Sequence, residues 1–191
     1  MKRVNIDDMD FAMEDFLYHL TRYKYIARLI RKNWNLLEVG CGTGYGSNFL
    51  ADYCATINAC ELDKQVLDAA KTRFKKANLT YSYEPANNSY DCVVCLEVIE
   101  HMSKGEGDEL LKFIYGKMKN KGVSFISTPR KIDNPSENRK KYHIYEYTYE
   151  DLTASLEKVF DNVLVLSQTD ELIGTQNKNT AWNYFAICFK S

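Results

Sequence analysis

Leu36-Leu37-Glu38-Val39-Gly40-Cys41-Gly42-Thr43-Gly44-Tyr45-Gly46 decides the reading of this chain. An apolar run enters a turn in which glycine takes alternate positions from Gly40 to Gly46, and a helical pattern follows. Glycine reaches positive φ without strain and lets a ligand approach the backbone with no β-carbon in the way. A strand feeding such a loop, with a helix starting behind it, is the ligand crevice of a doubly wound α/β domain. The stretch departs from the dinucleotide fingerprint. After Gly40 and Gly42, that fingerprint needs Gly or Ala at position 45, where Tyr45 stands.

Strand and helix patterns alternate on either side of the loop. An amphipathic helix is expected from about Asp8 to Lys32, with Phe11, Phe16, Leu17, Leu20, Tyr23, Ile26, Ala27 and Ile30 at helical spacing. Strands are expected at 35–40, 56–62, 79–83, 90–96 and 123–127. Helices are expected after Gly44, over 63–77, over 106–119 and from Thr148, where Thr-Tyr-Glu-Asp resembles a capping sequence. Asn162–Leu166 and Trp182–Phe189 supply a closing antiparallel pair. The alternation implies right-handed crossovers and a mostly parallel sheet. The expectation is a Rossmann-like, seven-stranded, doubly wound sheet with an antiparallel last strand. It occupies a single domain over 1–191, with an N-terminal helical segment (1–33) and a polar insert (128–147) covering the substrate. The link between the third and fourth strands is too short for a full helix.

With 191 residues, a net charge of −1 and no apolar run near ~18 residues, the chain reads as one soluble domain. Its charge exerts no global pull toward nucleic acid or anionic membrane. Met1–Asp8 lacks a signal-peptide core, and the six cysteines lie mostly in apolar, strand-like segments. A reducing cytoplasm is therefore expected rather than a disulfide framework. Cys92-x-x-Cys95 looks like a zinc or redox half-site. In a strand, however, residues three apart point to opposite faces, so the two thiols are read as core residues.

Glu-x-Gly-x-Gly-x-Gly resembles motif I of the class I S-adenosylmethionine (SAM)-dependent methyltransferases. The pairing of His19-Leu20-Thr21-Arg22-Tyr23 with this loop is similar to a bacterial and phage subgroup with an Arg-Tyr pair upstream. The resemblance implies cofactor contacts at Arg22, Tyr23, Glu38, Gly40, Cys41, Gly42, Gly44, Tyr45, Glu61, Leu62, Glu84 and Glu97. Glu38 would face the methionine end, and Arg22 or Tyr23 would cap the SAM carboxylate. Glu61, about 20 residues past the loop, would accept hydrogen bonds from the ribose hydroxyls. Asp63 is the alternative there, although it reads as a helix N-cap. Glu84 is the candidate adenine contact.

Strand four ends in Glu97-Val98-Ile99-Glu100-His101. If this segment turns helical, Glu97, Glu100 and His101 share one face, a donor set that suits a divalent ion. Together with His143 in the insert, Glu-x-x-Glu-His resembles two groups of metal-dependent O-methyltransferases. One acts on the terminal 2′-hydroxyl of small RNAs, the other on catechol-like rings in ubiquinone biosynthesis. Carried over, Glu97, Glu100, His101 and His143 would hold Mg2+ or Mn2+, and His101 or His143 would take the acceptor proton. Arg130, Lys131, Arg139, Lys140 and Lys141, interleaved with Tyr142, Tyr145, Tyr147 and Tyr149, could bind phosphates and stack on bases. The reading is thus a cytoplasmic SAM-dependent O-methyltransferase for a hydroxylated small molecule or sugar. The alternatives are a metal-dependent 2′-O-methyltransferase on nucleic acid and a SAM-binding protein without transfer activity.

Overall fold

The computed structural model describes residues 13–175 and 177–191. The expected helix start before Met13, Phe11 included, lies outside them. The elements run α1 (Met13–Leu29), β1 (Asn35–Val39), α2 (Tyr45–Leu50), β2 (Thr56–Cys60), α3 (Lys64–Arg73), β3 (Leu79–Ser82) and β4 (Tyr90–Leu96). There follow α4 (Lys104–Lys117), β5 (Met118–Pro129), α5 (Glu137–Tyr142), α6 (Tyr149–Glu157), β6 (Asn162–Thr169), β7 (Leu172–Gly174) and β8 (Asn183–Phe189). No helix among the described residues is long and apolar enough to cross a membrane.

One sheet has the order β3-β2-β1-β4-β5-β8-β6-β7. Strands β1 to β5 pair in parallel, and β8 inserts antiparallel between β5 and β6. The doubly wound reading and the antiparallel closing pair hold. The sheet has eight strands rather than the expected seven, because Leu172–Gly174 folds back on the end of β6 through a turn with Asp170 at φ 53°. Three residues are too few to carry an alternation signal. Chain order reverses between β1 and β4, so the crevice opens at the carboxyl ends of those two strands.

Both faces of the parallel strands are covered, as continuous apolar runs require. In β4, Cys92, Val94 and Leu96 pack with Tyr23 and Ile26 of α1 and Leu50 of α2. Val93 and Cys95 point the other way, to Leu111 and Ile114 of α4 and Leu152 and Leu156 of α6. The Cys92-x-x-Cys95 pair is therefore split between two cores, and both are free buried thiols. Each fully buried leucine or isoleucine in these layers stabilises the fold by roughly 1.5–3 kcal/mol.

Caps set the helix starts. Asp63 accepts from the backbone N–H groups of Gln65 and Val66, and Thr148 accepts from Asp151. Ser103 and Glu106 form a reciprocal capping box, which moves the start of α4 two residues ahead of the expected Glu106. No helix lies between β3 and β4.

Candidate active site

The glycine loop joins β1 to α2 with Gly40, Gly42 and Gly44 all at positive φ. A β-carbon on Gly42 (φ +53°) would meet nothing within 4 Å, because that position faces the open crevice. Gly46 serves a different purpose. A side chain there would overlap the ring of Tyr23, so its absence lets α1 pack onto the loop. Tyr23 then donates to Glu38 Oε1 at 2.7 Å, and Ser47 donates to the other oxygen. Burial pushes the Glu38 carboxyl up to about 7. At the end of β2, Glu61 accepts from the N–H of Gly42 at 3.1 Å and from Asp63 at 2.9 Å, tying the loop to the start of α3.

A cavity of about 1030 Å³ runs along this edge. Glu61, Leu62, Glu84 and Pro85 line one part of it, Gly40 to Thr43 its floor, and Arg22, Tyr23, Glu97 and His101 also border it. Apart from Glu38, Gly44, Glu100 and His143, every residue expected at the cofactor or catalytic site lies on this surface. The four exceptions sit behind it: Glu38 is 1% exposed and Glu100 fully buried.

The acceptor side is built by contacts far apart in sequence. Glu97, at φ 57°, occupies a left-handed conformation that costs a non-glycine residue about 1–3 kcal/mol. It is held there by three donors to Oε1: Ser127 at 2.7 Å, Asn183 at 2.7 Å and Arg22 at 3.3 Å. Burial pushes the Glu97 carboxyl up, but the Arg22 charge and these hydrogen bonds outweigh it and hold the group below the usual carboxylate range. Arg22 is itself 1% exposed and also contacts His19 and Gln168, with Tyr18 under its guanidinium. Its Nε is buried without a partner among the described residues. Burial, then the Arg22 charge, pushes His19 down to about 4. Ser127, Gln168 and Asn183 escaped the sequence reading. Their only sequence signal is polarity in otherwise apolar strands.

The expected metal set is not assembled. Past Glu97, only Ile99–His101 form a single tight turn. Glu100 turns inward to accept from Thr128 at 3.0 Å. Burial and the neighbouring Glu97 charge push its carboxyl well above the usual range. His143 lies behind His101, and only Glu97 and His101 reach the main cavity. Among the described residues no group of three or more His, Cys, Asp or Glu could hold a metal ion. Two buried atoms of the expected set, Glu100 Oε1 and His143 Nε2, have no hydrogen-bond partner among the described residues.

Several groups of the basic insert are engaged within the fold. Arg130 donates to the carbonyl of Ala181, and Arg139 binds Glu146 and the carbonyl of Arg130. Lys140 pairs with Glu137 at 2.7 Å. Tyr147 is fully buried and Tyr145 packs edge-on against it. Neither forms part of a stacking platform with Tyr149, which meets Tyr184. Lys131, Lys140 and Lys141 are exposed, Lys140 beside the acidic Glu137. Lys141, Tyr142 and Ile144 form part of the cavity wall.

His101 has a defined tautomer. Its Nδ1 lies 2.7 Å from the carbonyl of Tyr142, which can only accept, so Nδ1 carries the proton. In the neutral ring Nε2 is then the acceptor, the state a general base needs.

A doubly wound sheet, a glycine loop at its switch point and a carboxylate at the end of the second strand are the architecture in which α/β domains hold nucleosides. Residues 37–126 match the family described as Methyltransferase domain. The chain is similar to the ubiquinone biosynthesis O-methyltransferase of Coxiella burnetii, at 27% identity over 121 residues, covering 59% of this chain and 51% of that one. It thus spans about half the length of the curated relatives it matches. Among solved structures it superposes on an N-methyltransferase of Bradyrhizobium japonicum in complex with S-adenosyl-L-homocysteine (TM-score 0.71, 14% identity, covering 98% of this chain and 93% of that one). It also superposes on the magnesium protoporphyrin IX methyltransferase of Synechocystis with bound SAM (TM-score 0.65, 14% identity, 93% and 79% covered). Residues 37–126 thus resemble a methyltransferase domain, and the superposed structures share the fold of the chain.

Proposed function

We propose that the chain transfers the methyl group of SAM to a hydroxyl oxygen of a small molecule or sugar. The observation that carries this reading is one continuous cavity with Glu61 and the open face of Gly42 on its cofactor side and His101, protonated at Nδ1, on its acceptor side. Glu61 suits the ribose hydroxyls, with Leu62, Glu84 and Pro85 around the base. Arg22, whose Nε lacks a partner among the described residues, suits the cofactor carboxylate, with Tyr23 and Glu38 at the same end. Bound there, SAM supplies a methyl group already activated by its sulfonium. The protein's part is alignment and desolvation, together with removal of the acceptor's proton by His101 Nε2. The name of the curated relatives supports oxygen as the acceptor atom. The buried free thiols support a reducing, cytoplasmic setting.

The test is a radiolabelled methyl-transfer screen over sugars, catechols and short RNAs, with wild type beside His101→Ala. Transfer to a hydroxylated small molecule, lost in His101→Ala at unchanged SAM affinity, is the expected outcome. Transfer to RNA alone would overturn the acceptor class, and full turnover in His101→Ala would overturn the assignment of the base.

A further inference from the structure

We infer that Glu146 is a positioning residue, which acts through His143 to hold the His101 ring in its reactive orientation. The inference rests on His101 as the acceptor-side base. Glu146 Oε1 accepts from His143 Nδ1 at 2.6 Å and from Arg139 Nε. Arg139 is anchored in turn to the carbonyl of Arg130 at 2.7 Å. The side chains of His143 and Glu146 are only 4% and 10% exposed. A cavity cover gains nothing from burying a carboxylate and an imidazole, a burial that is unfavourable unless each is satisfied.

The position of the pair says what it does. His143 is absent from the wall of the main cavity and borders a smaller space of about 200 Å³ under the insert, together with Glu146 and Arg139. Its ring lies edge-on to that of His101, with centroids 5.4 Å apart at 70°. Its two chain neighbours grip the same segment. The carbonyl of Tyr142 accepts from His101 Nδ1, and the N–H of Ile144 donates to the carbonyl of Glu100 at 2.8 Å. With Nδ1 pinned by Glu146, the His143 ring has one orientation. Packed edge-on against His101, it then limits how that ring can turn. A side chain packed this way acts on the base without touching substrate.

The chain has three histidines, so the long-range 1H–15N spectrum of its imidazoles can be assigned by single substitutions. In the wild type His101 and His143 are expected to be protonated at Nδ1. His19, whose Nδ1 faces the Arg22 guanidinium, is expected to be protonated at Nε2. Glu146→Ala should lose the Nδ1–H signature of His143 and shift or broaden His101, while His19 and the affinity for S-adenosylhomocysteine stay within about twofold. Glu146→Gln, which retains an acceptor oxygen, should restore both signals. If Glu146→Ala does not fold, His143→Phe removes the pinned nitrogen and should move His101 in the same way. An unchanged His101 signal in a folded Glu146→Ala or His143→Phe protein would overturn the inference. A wild type that fails to bind S-adenosylhomocysteine would overturn the proposed function instead, leaving the spectral result to stand on its own.

Discussion

The two sides of the cavity are made by different means. The cofactor side is local: Glu38 to Glu61 supply a strand, a loop, a helix and a carboxylate within 24 residues, and the loop offers the ligand backbone rather than side chains. The acceptor side is assembled from a distance. Glu97 is held by Arg22 from α1, Ser127 from β5 and Asn183 from β8, and His101 is held by the carbonyl of Tyr142 in the insert. A site made from backbone conformation tolerates drift in surrounding side chains. A site made from buried polar contacts across the chain changes when any one partner changes, which is where chemistry can diversify on a constant fold.

This contrast can be broken or sharpened by substitution. The largest effect is expected from His101→Ala, which should lower turnover by about 10²- to 10⁴-fold, the usual contribution of a positioned general base, while calorimetry finds SAM affinity unchanged. Arg22→Met should cost roughly 3–5 kcal/mol in denaturant unfolding, because it leaves Glu97 as an uncompensated buried charge. It should also weaken SAM, since Arg22 borders both sides. Glu61→Ala should cost about 1.5–3 kcal/mol of cofactor binding, the scale of hydrogen bonds to a charged group, with turnover at saturating SAM retained. A loss of turnover as large as that of His101→Ala would mean that the two sides are not separable.

The smallest effect is a pH dependence at Glu38, whose carboxyl burial raises from 4.5 to about 7. A raised acid binds its proton more tightly in the folded state. Its contribution to stability is therefore complete below about 4.5 and is lost as pH rises through about 7. If the cationic amine of SAM lies against Glu38, cofactor affinity should rise over that same window with release of a proton. Glu38→Gln should flatten both profiles. Affinity that is flat in the wild type would place the amine elsewhere.

Legibility in the sequence follows the same division. The β1–loop–α2 stretch, the Asp63 cap and the alternation within β4 declare themselves because strand period, turn chemistry and capping are local rules. The short β7 and the eight-strand count escape because three residues carry no period. Glu97, Glu100 and His101 have the right spacing for a helix face, but Glu97 takes a left-handed conformation and Glu100 turns inward to Thr128, which spacing does not reveal. The pairing inside the basic insert escapes because composition does not show it. Arg130 and Arg139 point inward to carbonyls and Glu146, and Tyr147 is core. Gln168 and Asn183, buried polar residues in closing strands, became meaningful only once α1 lay against them.

The most direct single measurement is a calorimetric titration of the purified protein with SAM, repeated on Gly42→Val. The backbone-built cofactor crevice requires saturable binding in the micromolar range by the wild type. Gly42→Val should abolish it, because a branched side chain at φ +53° would stand in the space the ligand takes. No heat and no thermal shift with the wild type, or undiminished binding by the variant, would contradict it.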